Sequence, residues 1–257
     1  MAFIAIDVGN SVINYGVIEG KKIRLSGSVA TDHRKTRDEY AVLFQSILNI
    51  HGIDPSELEG GIVSSVVPPL KDTIPEMIEN ITGKRCMVVG PGLKNGLKIR
   101  IDDPAQLGSN SVANAVAAGE LYSLPALIFD LGTATTVSVV DANGAYRGGL
   151  LMPGVEVGLE AMVRQASLLS SVSLSEGPRG LIGTNTNDCI SSGVIHGTAA
   201  MLDGIAERLQ EELDGEATLI MTGEISPLIL PFCREKFCFE KDLRLIGLRI
   251  IYEKNRK

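Results

Sequence analysis

One short pattern occurs twice in this 257-residue chain and limits its fold more than any other feature. An apolar run ends in Asp7-Val8-Gly9, passes through Asn10-Ser11 and continues into a second apolar stretch. A later run ends in Asp130-Leu131-Gly132, passes through Thr133-Ala134-Thr135-Thr136 and does the same. A single D-x-G is an ordinary turn. Two copies, each closing one strand-like run and opening another, predict a duplicated unit. The surrounding periodicity agrees. Strands are predicted at 3–8, 11–18 and 23–29. A helix over 38–51 carries Tyr40, Leu43, Phe44, Ile47 and Leu48 at helical spacing, with Gly52 suited to its C-terminal cap. A strand at 61–67 is stopped by Pro68-Pro69, a helix spans 70–81 and a strand 86–89. Residues 93–104 form a connection with one short strand, and 106–122 an Ala-rich helix. The order then repeats: strands at 126–131, 137–141 and 146–151 with an Asn143-Gly144 hairpin turn, helices at 154–170 and 187–213, a strand at 218–221, and a last strand and helix. This alternation predicts a mixed α/β fold in two lobes, 1–115 and 116–257, each with a five-stranded mixed sheet flanked by helices. The first three strands of each sheet should be antiparallel neighbours.

Composition removes several functions. Twenty-four basic residues against thirty-one acidic give a net charge of −7, which argues against a basic face for nucleic acid or anionic lipid. Aromatics are 4% and Trp is absent, so stacking platforms for bases are not expected. No apolar run approaches the roughly 20 residues that span a bilayer. The opening MAFIAIDVGN contains Asp7 and no basic residue, unlike a secretory signal, and points to the cytoplasm. Cys86, Cys189, Cys233 and Cys238 show no C-x-x-C spacing and are expected as reduced thiols. His33, His51 and His196 are scattered and suggest no metal site.

The two turns have a chemistry of their own. A carboxylate at the end of a buried strand, beside a Gly that lets a ligand approach the backbone, can hold a hydrated cation against phosphate oxygens. Small turn residues let backbone N–H groups face the phosphates. Asn10, Ser11, Thr133 and Thr135 would add side-chain hydrogen bonds, so two such turns could clamp a polyphosphate between two lobes. This is similar to the actin-like ATPase arrangement of acetate kinase, sugar kinases and heat-shock chaperones, a duplicated ribonuclease H-like fold. In that fold a T-G-G-type turn meets adenine, and Met221-Thr222-Gly223-Glu224 stands in its place.

Over nearly its whole length the chain resembles type III pantothenate kinases. The segments that carry the resemblance are IDVGNSVINYGV, GIVSSVVPPL, PGLKNGLKIRIDDP, ANAVAAG, LIFDLGTATTVSVVD, GGLLMPGV, GTNTNDCISSGVIHG, MTGE and DLRLIGLRIIYEKN. The resemblance implies ATP-dependent phosphorylation of pantothenate, the first step of coenzyme A synthesis. It also implies Mg²⁺, a monovalent cation such as K⁺ or NH₄⁺, and a homodimer whose interface helps build the pantothenate pocket. By the same resemblance, Asp7, Val8, Gly9, Asn10, Ser11, Val12, Ile13 and Asn14 form the first phosphate loop, with Asp7 organising Mg²⁺–ATP. Asp130 would bind K⁺, Thr133 would contact ATP, and Thr186 would reach pantothenate from the neighbouring subunit.

The substrate side departs from the family pattern. Where the family reads G-A-D-R, this chain reads Gly108-Ser109-Asn110-Ser111. The Asp there would be the general base; Asn110 has its shape but cannot accept a proton near neutral pH. Ser111 removes a fixed cation. Ile101 replaces a Tyr, and Leu169-Ser170-Ser171-Val172-Ser173-Leu174 lacks the family's Arg and Glu. Three readings follow: a kinase that tolerates Asn110, a subunit of a heterodimer whose paralogous partner supplies the Asp, or a non-catalytic nucleotide-binding regulator. The Asp102-Asp103 pair is either a relocated base or a turn before Pro104. Residues 112–118 read as core packing, Pro153-Gly154 as a strand-to-helix turn, Glu224 as a solvated charge and His196 as a helix-face polar residue.

Overall fold

The computed structural model describes residues 2–166, 172–175 and 177–256. The chain divides into two compact units, each built round one mixed sheet. In the first, β1 (Ala2–Val8), β2 (Val12–Glu19) and β3 (Lys22–Ala30) form an antiparallel meander. Helix α1 (Arg37–Ile50) then leads to β4 (Gly61–Ser65), and α2 (Thr73–Thr82) to β5 (Cys86–Val88), before α3 (Ser109–Leu121). Strands β4 and β5 join in parallel, giving the order β3-β2-β1-β4-β5. Strand β1 is buried on both faces because successive side chains point oppositely. Ile4, Ile6 and Val8 pack with Tyr40, Phe44 and Ile74 of α1 and α2. Phe3 and Ala5 pack with Val112, Ala113 and Val116 of α3. Helix α1 begins on a capping box: Thr36 Oγ1 accepts from Glu39 N–H, and Glu39 Oε2 accepts from Thr36 N–H at 2.7 Å, meeting two otherwise unpaired donors.

The second unit repeats this order. Its elements are β6 (Lys98–Ile99), β7 (Ala126–Leu131), β8 (Ala134–Val140), β9 (Ala145–Pro153), α4 (Val155–Gln165), α5 (Thr186–Glu212), β10 (Thr218–Thr222), α6 (Ser226–Ile229) and β11 (Cys238–Phe239). The sheet runs β11-β10-β7-β8-β9-β6. Its first five positions reproduce the first sheet strand for strand, β7-β8-β9 antiparallel and β10 and β11 parallel. The difference is β6, which adds a sixth strand beside β9 where five were expected. Helix α4 ends at Gln165 with Ala166 as its extended C-cap; residues 167–170 of the helix expected to Ser170, and residues 169–171 of the Leu169–Leu174 stretch, lie outside the described residues.

The single boundary at 115/116 is not where the chain divides. The first unit comprises Met1–Leu97, Asp102–Glu120 and Asp242–Lys257, because the last helix, α7 (Leu243–Asn255), packs on the β1 sheet. Leu245, Leu248 and Ile251 cover the same face as α3, and Tyr252 stacks on Phe3 with ring centroids 3.9 Å apart. Residues 112–118 are all buried, as their Ala and Val content implies.

The cysteines are free thiols. Burial pushes Cys86 and Cys233 up to about 12, aided by Glu79 and Asp203 respectively, while Cys189 and Cys238 are exposed. A short pulse of iodoacetamide at about pH 8 should label Cys189 and Cys238 first, since the thiolate is the reactive form. Peptide mass spectrometry showing Cys86 labelled as fast as Cys189 would contradict the burial.

Candidate active site

Asp7 is the next-to-last residue of β1 and is 2% exposed. It stands opposite Asn14 on β2 and Ser64 on β4, and Asn14 stands opposite Ser28 on β3. Residues directly opposite in a sheet share a face, so Ser28, Asn14, Asp7 and Ser64 make a polar row on the face that α3 and α7 cover. The Asp7 carboxylate is held by a guanidinium: Arg244 Nη1 donates to Asp7 Oδ2 at 2.7 Å. Arg244 lies in the first turn of α7.

The turn after β1 is tight. Gly9 N–H donates to the Val12 carbonyl at 3.0 Å, and a Cβ on Gly9 would stand 2.8 Å from that oxygen. Thr31 fastens the turn from β3's end: its hydroxyl donates to the Gly9 carbonyl at 2.7 Å and its N–H to the Ser11 carbonyl at 2.9 Å. Asn10 and Ser11 are exposed at the tip. Val8 and Ile13 are fully buried in the core; they shape the turn, and their side chains touch no ligand surface.

The start of α3 is fixed to β4. Ser64 Oγ donates to Ser109 Oγ at 2.9 Å, and Ser109 Oγ donates to the Ser65 carbonyl at 3.1 Å. Ser109 therefore has a structural bond of its own. Asn110 follows, half-buried like Ser111. A Cβ on Gly108 would lie 2.6 Å from Asn110 Oδ1, so the carboxamide takes its place because residue 108 has no side chain. Asp103 is engaged in its own turn: it accepts from Ala105 N–H and from Gln106 Nε2, both at 3.0 Å. That leaves Asp102, which is exposed, as the carboxylate of the pair without a turn to cap.

In the second unit Asp130 occupies the corresponding place on β7, 2% exposed, opposite Thr136 on β8 and Thr222 on β10. Thr133 is exposed at the turn tip. Gly154, at the cap of α4, donates its N–H to the Thr133 carbonyl at 3.1 Å. A Cβ there would meet the Gly132 and Thr133 carbonyls, so Pro153-Gly154 is the strand-to-helix turn and also the floor of the second loop. Thr135 is not at the loop surface: it is fully buried, and among the described residues its Oγ1 has no hydrogen-bond partner. Its position on β8 turns the side chain inward, which removes it from the expected phosphate contacts.

Gly223 has φ +102°, and a Cβ on it would meet the Leu131 carbonyl. The Thr222-Gly223 turn thus lies directly on the end of β7, while Glu224 is exposed. Ser226 Oγ donates to the Thr222 carbonyl at 2.6 Å. Thr186 is exposed at the first position of α5, after Asn185, whose Oδ1 accepts from Asp188 N–H at 3.0 Å. His196 packs edge-on against Phe232 at 4.8 Å. Ile101 is half-buried in the second unit, its Cγ2 3.9 Å from where a Cβ on Gly148 would lie.

Among the described residues no three His, Cys, Asp or Glu side chains gather into a metal cage. A resident divalent site does not fit. A Mg²⁺ ion carried on nucleotide phosphates does, since Mg²⁺ keeps much of its water shell and takes one or two carboxylates.

Residues 3–208 match the sequence model of the type III pantothenate kinases. A type III pantothenate kinase from Moorella thermoacetica is 38% identical over 98% of this chain and 99% of its own. The chain belongs to the type III pantothenate kinase family. Solved structures show the same fold at lower identity. The activator of 2-hydroxyisocaproyl-CoA dehydratase from Clostridium difficile, with bound ADPNP, has a TM-score of 0.58 at 9% identity, covering 100% of this chain and 98% of its own. A ROK hexokinase from Thermus thermophilus has 0.52 at 16%, covering 99% of each. The fold is therefore the actin-like, ribonuclease H-like α/β fold.

In this pantothenate kinase family member, three contributors escaped sequence reasoning. Thr31 lies in none of the quoted segments, and Ser64 lies inside GIVSSVVPPL without a role of its own there. Arg244 lies inside DLRLIGLRIIYEKN, but only the packing of α7 reveals that it faces Asp7. No helix among the described residues is long and apolar enough to cross a membrane.

Proposed function

We propose that the protein phosphorylates pantothenate with ATP, slowly, as a homodimer. The observation that carries this reading is the buried Asp7 at the head of an exposed Asn10-Ser11 turn, in a chain that matches a pantothenate kinase along 98% of its length. The exposed Asn10-Ser11 tip, through its backbone and side chains, and Thr133 bind the phosphates, and the rest of 7–14 holds that turn in shape. Asp7 orients the nucleotide through its Mg²⁺, and Asp130, the matching carboxylate of the second turn, suits K⁺ or NH₄⁺. These cations, when bound, offset the charge of the phosphates. Gly108, Asn110, Ser111 and Ile101 shape the pantothenate site, and Thr186 contacts the substrate from the partner subunit. Asn110 can hold the substrate hydroxyl by a hydrogen bond. It does not take its proton.

Phosphoryl transfer runs through a loose transition state and relies on positioning and electrostatics. Loss of the base therefore slows the reaction and does not abolish it. The test is ADP release with pantothenate, Mg²⁺ and K⁺: turnover should require pantothenate and rise with K⁺. Pantothenate-independent release alone would overturn the assignment. Asp7→Asn should weaken Mg²⁺–ATP binding about 10-fold or more, the scale on which a charge-assisted contact exceeds a neutral one. Equal affinities by calorimetry would remove Asp7 from the phosphate site.

A further inference from the structure

Arg244 comes from the far end of the chain, 237 residues from Asp7, yet donates to its carboxylate at 2.7 Å. Asp7 is 2% exposed and the Arg244 side chain 19%. The helix that bears it is held firmly: Leu243 and Leu245 are buried on either side, and Gly247 lies against the Ala113 carbonyl of α3. The guanidinium is thus delivered by a packed helix to the one carboxylate of the first phosphate turn.

We propose that Arg244 is a positioning residue that holds Asp7 and shields it from free divalent cations, so that metal meets Asp7 only when nucleotide brings it. This rests on the kinase reading for its nucleotide part alone. A carboxylate whose charge is already balanced by a guanidinium attracts little from a free Mg²⁺ ion, which gives up its water shell reluctantly. Phosphates bring both the ion and the rest of its ligands. Removing Arg244 leaves a buried anion that must find another cation or a proton, and Mg²⁺ then becomes its partner.

The experiment uses the full-length protein and MgCl₂ without nucleotide, at constant ionic strength, with thermal melting as the readout. The unmodified protein should show no shift beyond the salt control. Arg244→Met should melt lower and then gain about 4 °C or more as Mg²⁺ is raised well above its Kd. Asp7→Asn combined with Arg244→Met should lose that gain. Arg244→Lys, which keeps the charge, should suppress it. A parallel titration should find ATP affinity more dependent on Mg²⁺ in Arg244→Met than in the unmodified protein. A structural role alone would lower stability without creating a Mg²⁺ response. The proposal is overturned if Mg²⁺ alone stabilises the unmodified protein and Asp7→Asn abolishes that effect, a comparison that decides even if Arg244→Met fails to fold. It is equally overturned if Arg244→Met responds no more than the unmodified protein. Failure of every variant to bind ATP would instead count against the kinase reading, and the Mg²⁺ comparison would stand.

Discussion

Replacing Asn110 by Asp is expected to raise pantothenate turnover about 10²–10⁴-fold, equivalent to about 3–5 kcal/mol of barrier. Residue 110 is the second residue of α3, and Ser109 anchors that helix start to β4 through Ser64 and Ser65. The new carboxylate would occupy the position of the carboxamide, which Gly108 leaves open. It would stand in the first helical turn, where the helix dipole favours a negative charge. KM for pantothenate should change little, because both side chains accept a hydrogen bond. The rate of Asn110→Asp should rise with pH through the pKa of the new group and then level, since the base is the deprotonated form. Steady-state kinetics of both proteins over a pH series checks this. If the unmodified protein already turns over at the roughly 1–100 s⁻¹ of ordinary kinases, Asn110 is no defect. Asp102 then becomes the first alternative, because Asp103 is held by its own turn. If Asn110→Asp changes nothing, Ser111 and Ile101 mark a pocket that has diverged further. Mixing with a paralogue that retains the Asp then tests the heterodimer.

Gly247→Ala should cost about 2–3 kcal/mol, against the usual direction of a Gly→Ala change in a helix. At an open helical site the substitution stabilises by up to about 1 kcal/mol. At 247 the added methyl would run into the Ala113 carbonyl where α7 crosses α3. The crossing cannot open locally, because Leu248, Ile251 and Tyr252 pack on the same surface. Tm should fall by about 4–12 °C, given roughly 2–4 °C per kcal/mol at this chain length. Gly119→Ala is the internal control: it lies at the exposed C-terminal end of α3 with nothing within 4 Å of the added carbon, and should raise Tm slightly. Shifts of opposite sign in the two variants would show that backbone approach, not helix propensity, governs residue 247. A neutral Gly247→Ala would mean that the two helices are less closely packed. Because α3 begins beside Asn110 and α7 carries Arg244, nucleotide affinity should fall in Gly247→Ala as well.

The duplicated strand order was legible because apolar period and turn residues are local properties. Residues 126–131 were read to the residue, and the other main strands to within a few positions. Strand β8 begins earlier than expected, at Ala134, because the antiparallel ladder with β7 and β9 extends through the polar Thr135 and Thr136. That same ladder turned Thr135 inward and removed it from the turn surface. The one short strand expected within 93–104 is β6, two residues long; what so short a segment does not carry is its pairing with β9 at the edge of the second sheet.

Local sequence by itself determined the two D-x-G turns, the meanders that follow them and the apolar faces that each helix must bury. Those depend on side-chain type and on periods of two and 3.6 residues. Only the tertiary structure decided where the C-terminal helix goes. Its apolar face could cover any open sheet surface, and what selects the β1 sheet is Gly247 admitting the Ala113 backbone and Tyr252 stacking on Phe3. That docking brings Arg244 to Asp7, a pairing across 237 residues that no local pattern encodes, because it follows from the shape of a packed interface.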